Sequence, residues 1–489
     1  MELDIILLSA DYKLRRSIMK KLTTFFLLTS LLASVCACGG ETPTVTEDTT
    51  TAEETQSNYN IQDFGGRTFN YMTSDYYVDE QYVEEATGDV YDDAIYNRNV
   101  FVESAFNVKL NFIIEPFSWA IREEYMGKIR SSIMAGDGAY DIIAQHSVNV
   151  GSMMGDNLFF NLNDVDALNL DADWWSKLIR DELTYKGKIY GMAGDISNQL
   201  LKYSEVFYFN KQMLEENQLE NPYQLVRDGK WTIDKLLEMI VGVAQDVDGN
   251  TKMTTNDIWG MAVEDQQPYV DLITAFGMTY SYYDGDERKL NVETEEMLDC
   301  FTLIRDMLKK NEDVIYKQGD AATKQIFPEG RALFFPRQLG STDSFRELEF
   351  DYGILPPPKK NEAQEDYYST SRDTFVLFSI PTDVPDAEFA GAILEALAVG
   401  GSEYIIPVYI DKVCNVKNVR DEDSVEMLEL IRRNMKVDFA VVFSTDTGRV
   451  GHVICDAINT GRELTTYWAA NKEEKTTKWE EFLKAYAGE

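Results

Sequence analysis

Two histidines, His146 and His452, five cysteines and 84 acidic residues are the main resources for chemistry in this 489-residue chain. With so few imidazoles, no His-rich metal site, zinc-protease helix or Cys/His cluster can be assembled. There is no nucleophile elbow either, and a Ser/His/Asp arrangement has only those two histidines to draw on. The carboxylates offer more. Asp246-Val247-Asp248-Gly249-Asn250-Thr251-Lys252-Met253-Thr254-Thr255-Asn256-Asp257 sets oxygens at positions 1, 3, 5, 9 and 12 of a twelve-residue loop, the spacing of a calcium site. Asp246, Asp248, Asn250 and Asp257 would ligate through side chains and Lys252 through its backbone carbonyl. Thr251 stands where the sharp turn favours glycine, and Asp257 is shorter than the usual bidentate glutamate. The alternatives are a structural Ca2+, which even a weakened loop would hold at the millimolar calcium outside cells, and a metal-free turn. A hidden carboxylate pair for glycan hydrolysis is also compatible with the composition.

The elements that must position any site begin after a leader. Met19-Lys20-Lys21 is a short basic head, followed by an apolar run over 22–35 that is too short to span a membrane, which takes about 20 residues. Val35-Cys36-Ala37-Cys38 resembles the bacterial lipobox, in which the cysteine after the cut takes a diacylglycerol on its sulfur. Cys38 is the expected anchor, because anchoring at Cys36 would put branched Val35 where a small residue belongs. Two or more acyl chains hold a protein to a membrane stably. Residues 1–18 carry Glu2, Asp4 and Asp11 ahead of a head that should be basic, so the start is expected at Met19, with 19–37 as signal. Residues 38–60 are mostly Thr, Glu, Ser, Gln and Gly and read as a disordered tether.

A body of roughly 430 residues exceeds a single core and predicts two lobes. Hydrophobic residues at 44% and aromatics at 12% guarantee packed cores. The net charge of −38 sets aside a nucleic-acid partner, since phosphates would be repelled over most of the surface. Only Cys300, Cys414 and Cys455 remain in the body, enough for at most one disulfide.

Along the body, strands are predicted near 67–72, 108–114 and 140–144, with helices over 90–106 and 119–134 between them. In the first helix Ile95, Val102 and Phe106 share one side. This alternation is that of a parallel sheet wrapped by helices, where ligands sit past the carboxyl ends of the strands. Further on, Asn210 and Thr232 are placed as helix caps, 332–335 and 375–378 as buried strands, and the tail from Ala387 as mostly helical. No internal repeat is present, which argues against an adhesin or structural array.

Several stretches recur in one order: Gly187-Lys188-Ile189-Tyr190-Gly191, Phe207-Tyr208-Phe209-Asn210-Lys211, Gly229-Lys230-Trp231-Thr232, Phe327-Pro328-Glu329-Gly330-Arg331-Ala332-Leu333-Phe334 and Asp351-Tyr352-Gly353-Ile354-Leu355-Pro356. With the lipobox and tether, they resemble family 1 extracellular solute-binding proteins, the capturing lipoproteins of ABC importers, with maltose-binding protein as a distant relative. The resemblance implies an α/β, two-lobed periplasmic-binding-protein-like fold of type II. Lobe 1 would hold 61–203 and 366–410, and lobe 2 would hold 204–365 and 411–489. Hinge crossings are expected near 203–209, 356–368 and 405–413, with a ligand cleft between the lobes.

A sugar has flat apolar faces and a rim of hydroxyls, so its site needs aromatic platforms with carboxylates, amides and arginine. Tyr76, Tyr77 and Trp119 stand at strand ends as platforms, each with core or surface packing as the alternative. His146 is a contact or a satisfied buried histidine. Trp174-Trp175 favour packing. Asp195 and Asn198 would bind hydroxyls or form a solvated turn. The resemblance brings Arg337, Gln338 and Ser341 to the ligand, with Arg337 the leading polar candidate, and Tyr368 and Arg372 lie where the chain returns to lobe 1. The expectation is therefore a monomer, lipid-anchored on the extracellular face of the cell membrane, needing no cofactor, that passes a carbohydrate, an oligosaccharide, to ABC permease subunits. A peptide ligand, a sensing role and a tethered glycan hydrolase are the alternatives.

Overall fold

The computed structural model describes residues 61–345, 347–371, 375–414 and 422–489. The leader, Cys38, the tether and Arg372 lie outside the described residues. In chain order the strands are β1 (Arg67–Ser74), β2 (Val108–Glu115), β3 (Ile142–His146), β4 (Glu205–Asn210), β5 (Trp259–Val263) and β6 (Ser281–Asp284). They continue as β7 (Glu287–Leu290), β8 (Val314–Tyr316), β9 (Ala332–Gln338), β10 (Tyr352–Leu355) and β11 (Val376–Ser379).

The first sheet has the order β11-β3-β1-β2. β1 runs parallel to both neighbours, with Tyr71 opposite Phe112 on one side and Ile142 on the other. Local chemistry sets these elements. Asp89 caps the helix Val90–Phe106 by accepting from the amides of Tyr91 and Asp92, and Asn107, at φ 48, turns the chain straight into β2. β3 lies between two strands and is buried along its whole length. The sheet is mixed rather than purely parallel, because β11 returns from far along the chain and pairs antiparallel with β3.

The second sheet has the order β10-β4-β9-β5-β8. β5 is parallel to β8 and β9, whereas β4 is antiparallel to β9 and β10. The carboxyl ends of β5, β8 and β9 and the start of β4 therefore share one edge. Two crossings join the sheets side by side: Ser204 bridges Ser371, and the Glu205 amide donates to the Thr370 carbonyl at 3.0 Å. The stretch expected as a third crossing is helical. Helix Ala387–Gly400 runs through a π turn, Gly401–Ile405, into helix Ile406–Cys414. The run Ala387–Val413 is long and apolar enough to span a bilayer, but 78% of its apolar window is buried inside the protein, as in a core helix.

Trp174 and Trp175 serve the core. Their indole N–H groups donate to the two carboxylate oxygens of Glu395, each at 2.8 Å. The C-terminal helix Leu464–Ala487 is tied to both neighbourhoods: Tyr486 donates to the Leu183 carbonyl at 2.6 Å, and Trp479 donates to that of Arg288 at 3.2 Å. Cys300 and Cys455 are buried free thiols, so the pairing of Cys455 that the cysteine count allowed does not form.

Candidate functional site

Past the ends of the first three strands, aromatic rings gather around one imidazole. Tyr76 and Tyr77 follow β1, Phe117 and Trp119 follow β2, and His146 closes β3. The His146 ring lies 4.5 Å from Tyr77, 5.0 Å from Trp119, 5.1 Å from Phe117 and 5.4 Å from Tyr76, centroid to centroid. The Tyr77 hydroxyl and the His146 Nε2 share a hydrogen bond of 2.8 Å. Tyr77 is 1% exposed and His146 2%, whereas Tyr76 and Trp119 are each 53% exposed. This corrects part of the sequence reading. Tyr77 and His146 are the support beneath the platforms, and only Tyr76 and Trp119 present open faces. Phe117, which props both, was not singled out, although it lies in the strand-end loop that the topology rule marks.

Adjoining segments carry buried polar groups with unused hydrogen-bonding capacity. Among the described residues, no protein atom pairs with the side-chain amides of Gln81, Gln145 and Gln199, with Asn198 Oδ1, Asn149 Nδ2 or Ser371 Oγ. Native interiors pair the great majority of such groups, and each one left bare costs about 1–3 kcal/mol. Their neighbourhood is continuous. Gln145 precedes His146, and Asn149 begins the next helix, where its Oδ1 accepts from Arg122 Nε at 2.8 Å. Arg98 donates to the carbonyls of Gln81 and Ile196, each at 2.9 Å, which brings Gln81 beside the loop carrying Asn198 and Gln199. Ser371 lies in a crossing. Of these, Asn198 follows from its loop and Gln145 from its place at the end of β3. A lone glutamine such as Gln81 or Gln199 carries no local sign of burial.

The cations of the region are engaged. Lys202 pairs with Glu80, and a Cβ on Gly340 would stand 2.8 Å from its stem, so Lys202 lies between the two parts of the fold. Arg337 pairs with Glu264 and lies 3.8 Å from Asp265, at the edge shared by β5 and β9. Its fork is engaged by these carboxylates. Gln338 and Ser341 are half-buried just beyond it. Asp195 is buried rather than a solvated turn: desolvation outweighs Arg432, 3.6 Å away, and pushes its carboxyl up to about 6. Tyr368 is half-buried, with the Lys436 ammonium 5.2 Å from its ring centroid.

The calcium-spaced loop brings three of its carboxylates together. One carboxylate oxygen from each of Asp246, Asp248 and Asp257 lies within 4.8 Å of the others. Thr251 takes φ 65, the left-handed turn that position 6 requires, so a β-branched residue carries the strain that glycine would avoid. Asn250 Oδ1 accepts from the Lys252 amide at 2.8 Å. Asp257 is buried and accepts from the amides of Val247 and Thr254, while Arg331 donates to its carbonyl at 3.0 Å. The oxygen set fits a hard divalent cation.

With this geometry in hand, comparison with known proteins is informative. Residues 103–398, more than half of the chain, match the family described as bacterial extracellular solute-binding protein. No curated protein matches. Three solved structures share the fold at a TM-score of 0.53. The GacH receptor of Streptomyces glaucescens, solved unliganded and in complex with acarbose and an acarbose homolog, is 12% identical, over 85% of this chain and 99% of that one. An ABC substrate-binding protein from Listeria monocytogenes, in complex with cycloalternan, is also 12% identical, over 84% and 98%. UspC of M. tuberculosis is 14% identical, over 86% and 100%.

A half-buried carboxylate beside the helix that follows β3 makes pH a probe of the structure. Asp446 Oδ2 has no partner among the described residues, and a Cβ on Gly151, in the helix after β3, would run into it. Burial pushes its carboxyl up to about 6 against the attraction of Arg122 and Arg130, with Glu123 adding to the rise. A folded pKa above the unfolded value means that the native state binds the proton more tightly, so stability falls as pH rises from about 4 to about 6. Asp446→Asn is expected to raise unfolding free energy at pH 7.5 by about 1–2 kcal/mol and to flatten that slope, read by urea titration at several pH values.

Proposed function

The chain belongs to the bacterial extracellular solute-binding proteins, and from that premise we propose that its solute is a carbohydrate, an oligosaccharide, delivered to an ABC permease. What supports this reading is a pair of half-exposed rings, Tyr76 and Trp119, past the strand ends, together with buried amides in adjoining segments, those of Gln81 and Gln145, that have no protein partner among the described residues. Rings suit the apolar face of a sugar, and unpaired amides suit its hydroxyls, each of which can donate and accept. Acarbose in one structural relative and cycloalternan in another support the same class.

Capture proceeds by hinge closure. Sugar contacts from both lobes would stabilise the closed arrangement, and the paired crossings at Ser204 and Ser371 are the hinge. In this reading 61–203 and 366–410 move as one lobe against 204–365 and 411–489. The protein acts as a monomer, held to the extracellular face of the membrane by lipidated Cys38 and its tether. A structural calcium ion sits in the 246–257 loop. The family is one of binding proteins, so no catalytic step is invoked.

A thermal-shift panel of mono- and oligosaccharides, amino acids and short peptides tests the cargo. A saturable rise with one sugar class is expected, weakened about tenfold or more by Trp119→Ala and by Gln81→Ala. A rise with peptides alone would overturn the carbohydrate reading. For the ion, a chelator should lower the melting temperature of the wild type and leave Asp246→Ala unmoved; an unchanged wild type argues for a metal-free turn. For the anchor, Cys38→Ala should shift the protein from the membrane fraction to the medium, and retention would count against lipidation.

A further inference from the structure

Helix Val90–Phe106 turns Ile95, Val102 and Phe106 into the core, and Arg98 falls on that same face, three residues after Ile95 and four before Val102. Helical spacing calls for an apolar residue there. Instead a guanidinium sits at 0% exposure, and among the described residues it has no carboxylate partner. Burying a cation without a counter-charge costs several kcal/mol unless its donors are well used. Here they are used on two separate segments. Nη2 donates to the Gln81 carbonyl and Nη1 to the Ile196 carbonyl, each at 2.9 Å, while Nε donates to Asn99 Oδ1 at 2.6 Å. Asn99 Nδ2 in turn donates to the Gln81 carbonyl at 3.1 Å.

The opposite side is closed by two glycines at the start of the π turn. A Cβ on Gly400 would lie 3.0 Å from Arg98 Cγ, and one on Gly401 would strike the Asp195 carbonyl and come within 2.9 Å of Ile196 Cα. Both segments gripped by the fork carry side-chain polar atoms without a partner among the described residues: the Gln81 amide on one, Asn198 Oδ1 and the Gln199 amide on the other.

We infer that Arg98 is a positioning residue whose planar fork, backed by Gly400 and Gly401, fixes Gln81 and the 195–199 loop side by side as one solute-facing wall. This rests on the reading that those amides face the solute. A planar guanidinium reaches two carbonyls at a fixed angle, which an ammonium does not reproduce. Lysine at this position would keep one segment and release the other.

Hydrogen–deuterium exchange on the mature chain tests this with wild type, Arg98→Met and Arg98→Lys. In Arg98→Met, amides of 79–82 and 195–200 are expected to exchange about tenfold faster while β1 and β3 keep wild-type rates. Arg98→Lys should restore one of the two segments, and it carries the test alone if the methionine variant does not fold. Unchanged exchange in both segments, or a uniform rise through Val90–Phe106 and the first sheet, would overturn the inference and leave Arg98 a general core residue. Binding of maltotriose, cellotriose and xylotriose is measured on the same proteins. Wild-type affinity in a variant with loosened segments would overturn the positioning role. No trisaccharide bound by wild type, together with segment-confined loosening, would count against the carbohydrate reading and leave the gripping of the two segments standing.

Discussion

Two neighbouring crossings, paired where Ser204 meets Ser371 and where the Glu205 amide donates to Thr370, hold the two sheets edge to edge. The rest of the site depends on that pairing. Because β4 enters the second sheet directly from the crossing, its start lies at the same edge as the carboxyl ends of β5, β8 and β9. The loops past β1, β2 and β3 form the corresponding edge of the first sheet. Strand direction thus decides which loops share the edge past the strand ends.

Within that frame, charge and amide chemistry are divided. Lys202, Arg337 and Arg432 are neutralised by Glu80, by Glu264 with Asp265, and by Asp195. The amides of Gln81, Gln145 and Gln199 are left bare. An anionic solute would meet cations already committed to carboxylates, whereas an uncharged polyhydroxylated one would find donors and acceptors at little electrostatic cost. The aromatic cluster follows the same economy. His146 and Tyr77 satisfy one another below the surface, so the exposed rings of Tyr76 and Trp119 rest on a rigid base.

Several site features were legible before any coordinates. Tyr76, Trp119 and His146 were found together because strand alternation is a local pattern and the topological rule points to the residues just past strand ends. Asn198 was reached from its loop. Arg337 came from the family resemblance, and its pairing with Glu264 joins positions far apart in the chain, which no spacing rule reports. Gln145 and Phe117 lie in strand-end stretches that the topological rule marks, whereas Gln81 and Gln199 carry no such sign, because burial without a partner is a property of the assembled interior. Arg98 did carry a signal, since it interrupts the apolar face set by Ile95 and Val102.

The sequence by itself determined the first three strands with the helices between them, the acidic character of the chain, the family, and the oxygen spacing of the 246–257 loop. Each of these is written in near-neighbour periodicity, composition or motif order, which the chain carries without folding. Only the tertiary structure decided which strand-end rings are exposed and which are buried, that the stretch expected as a third crossing is helical, and which polar groups spend their hydrogen bonds inside the protein. The physical reason is that a side chain's exposure and partners are set by residues hundreds of positions away, brought within a few ångströms by the pairing of two sheets.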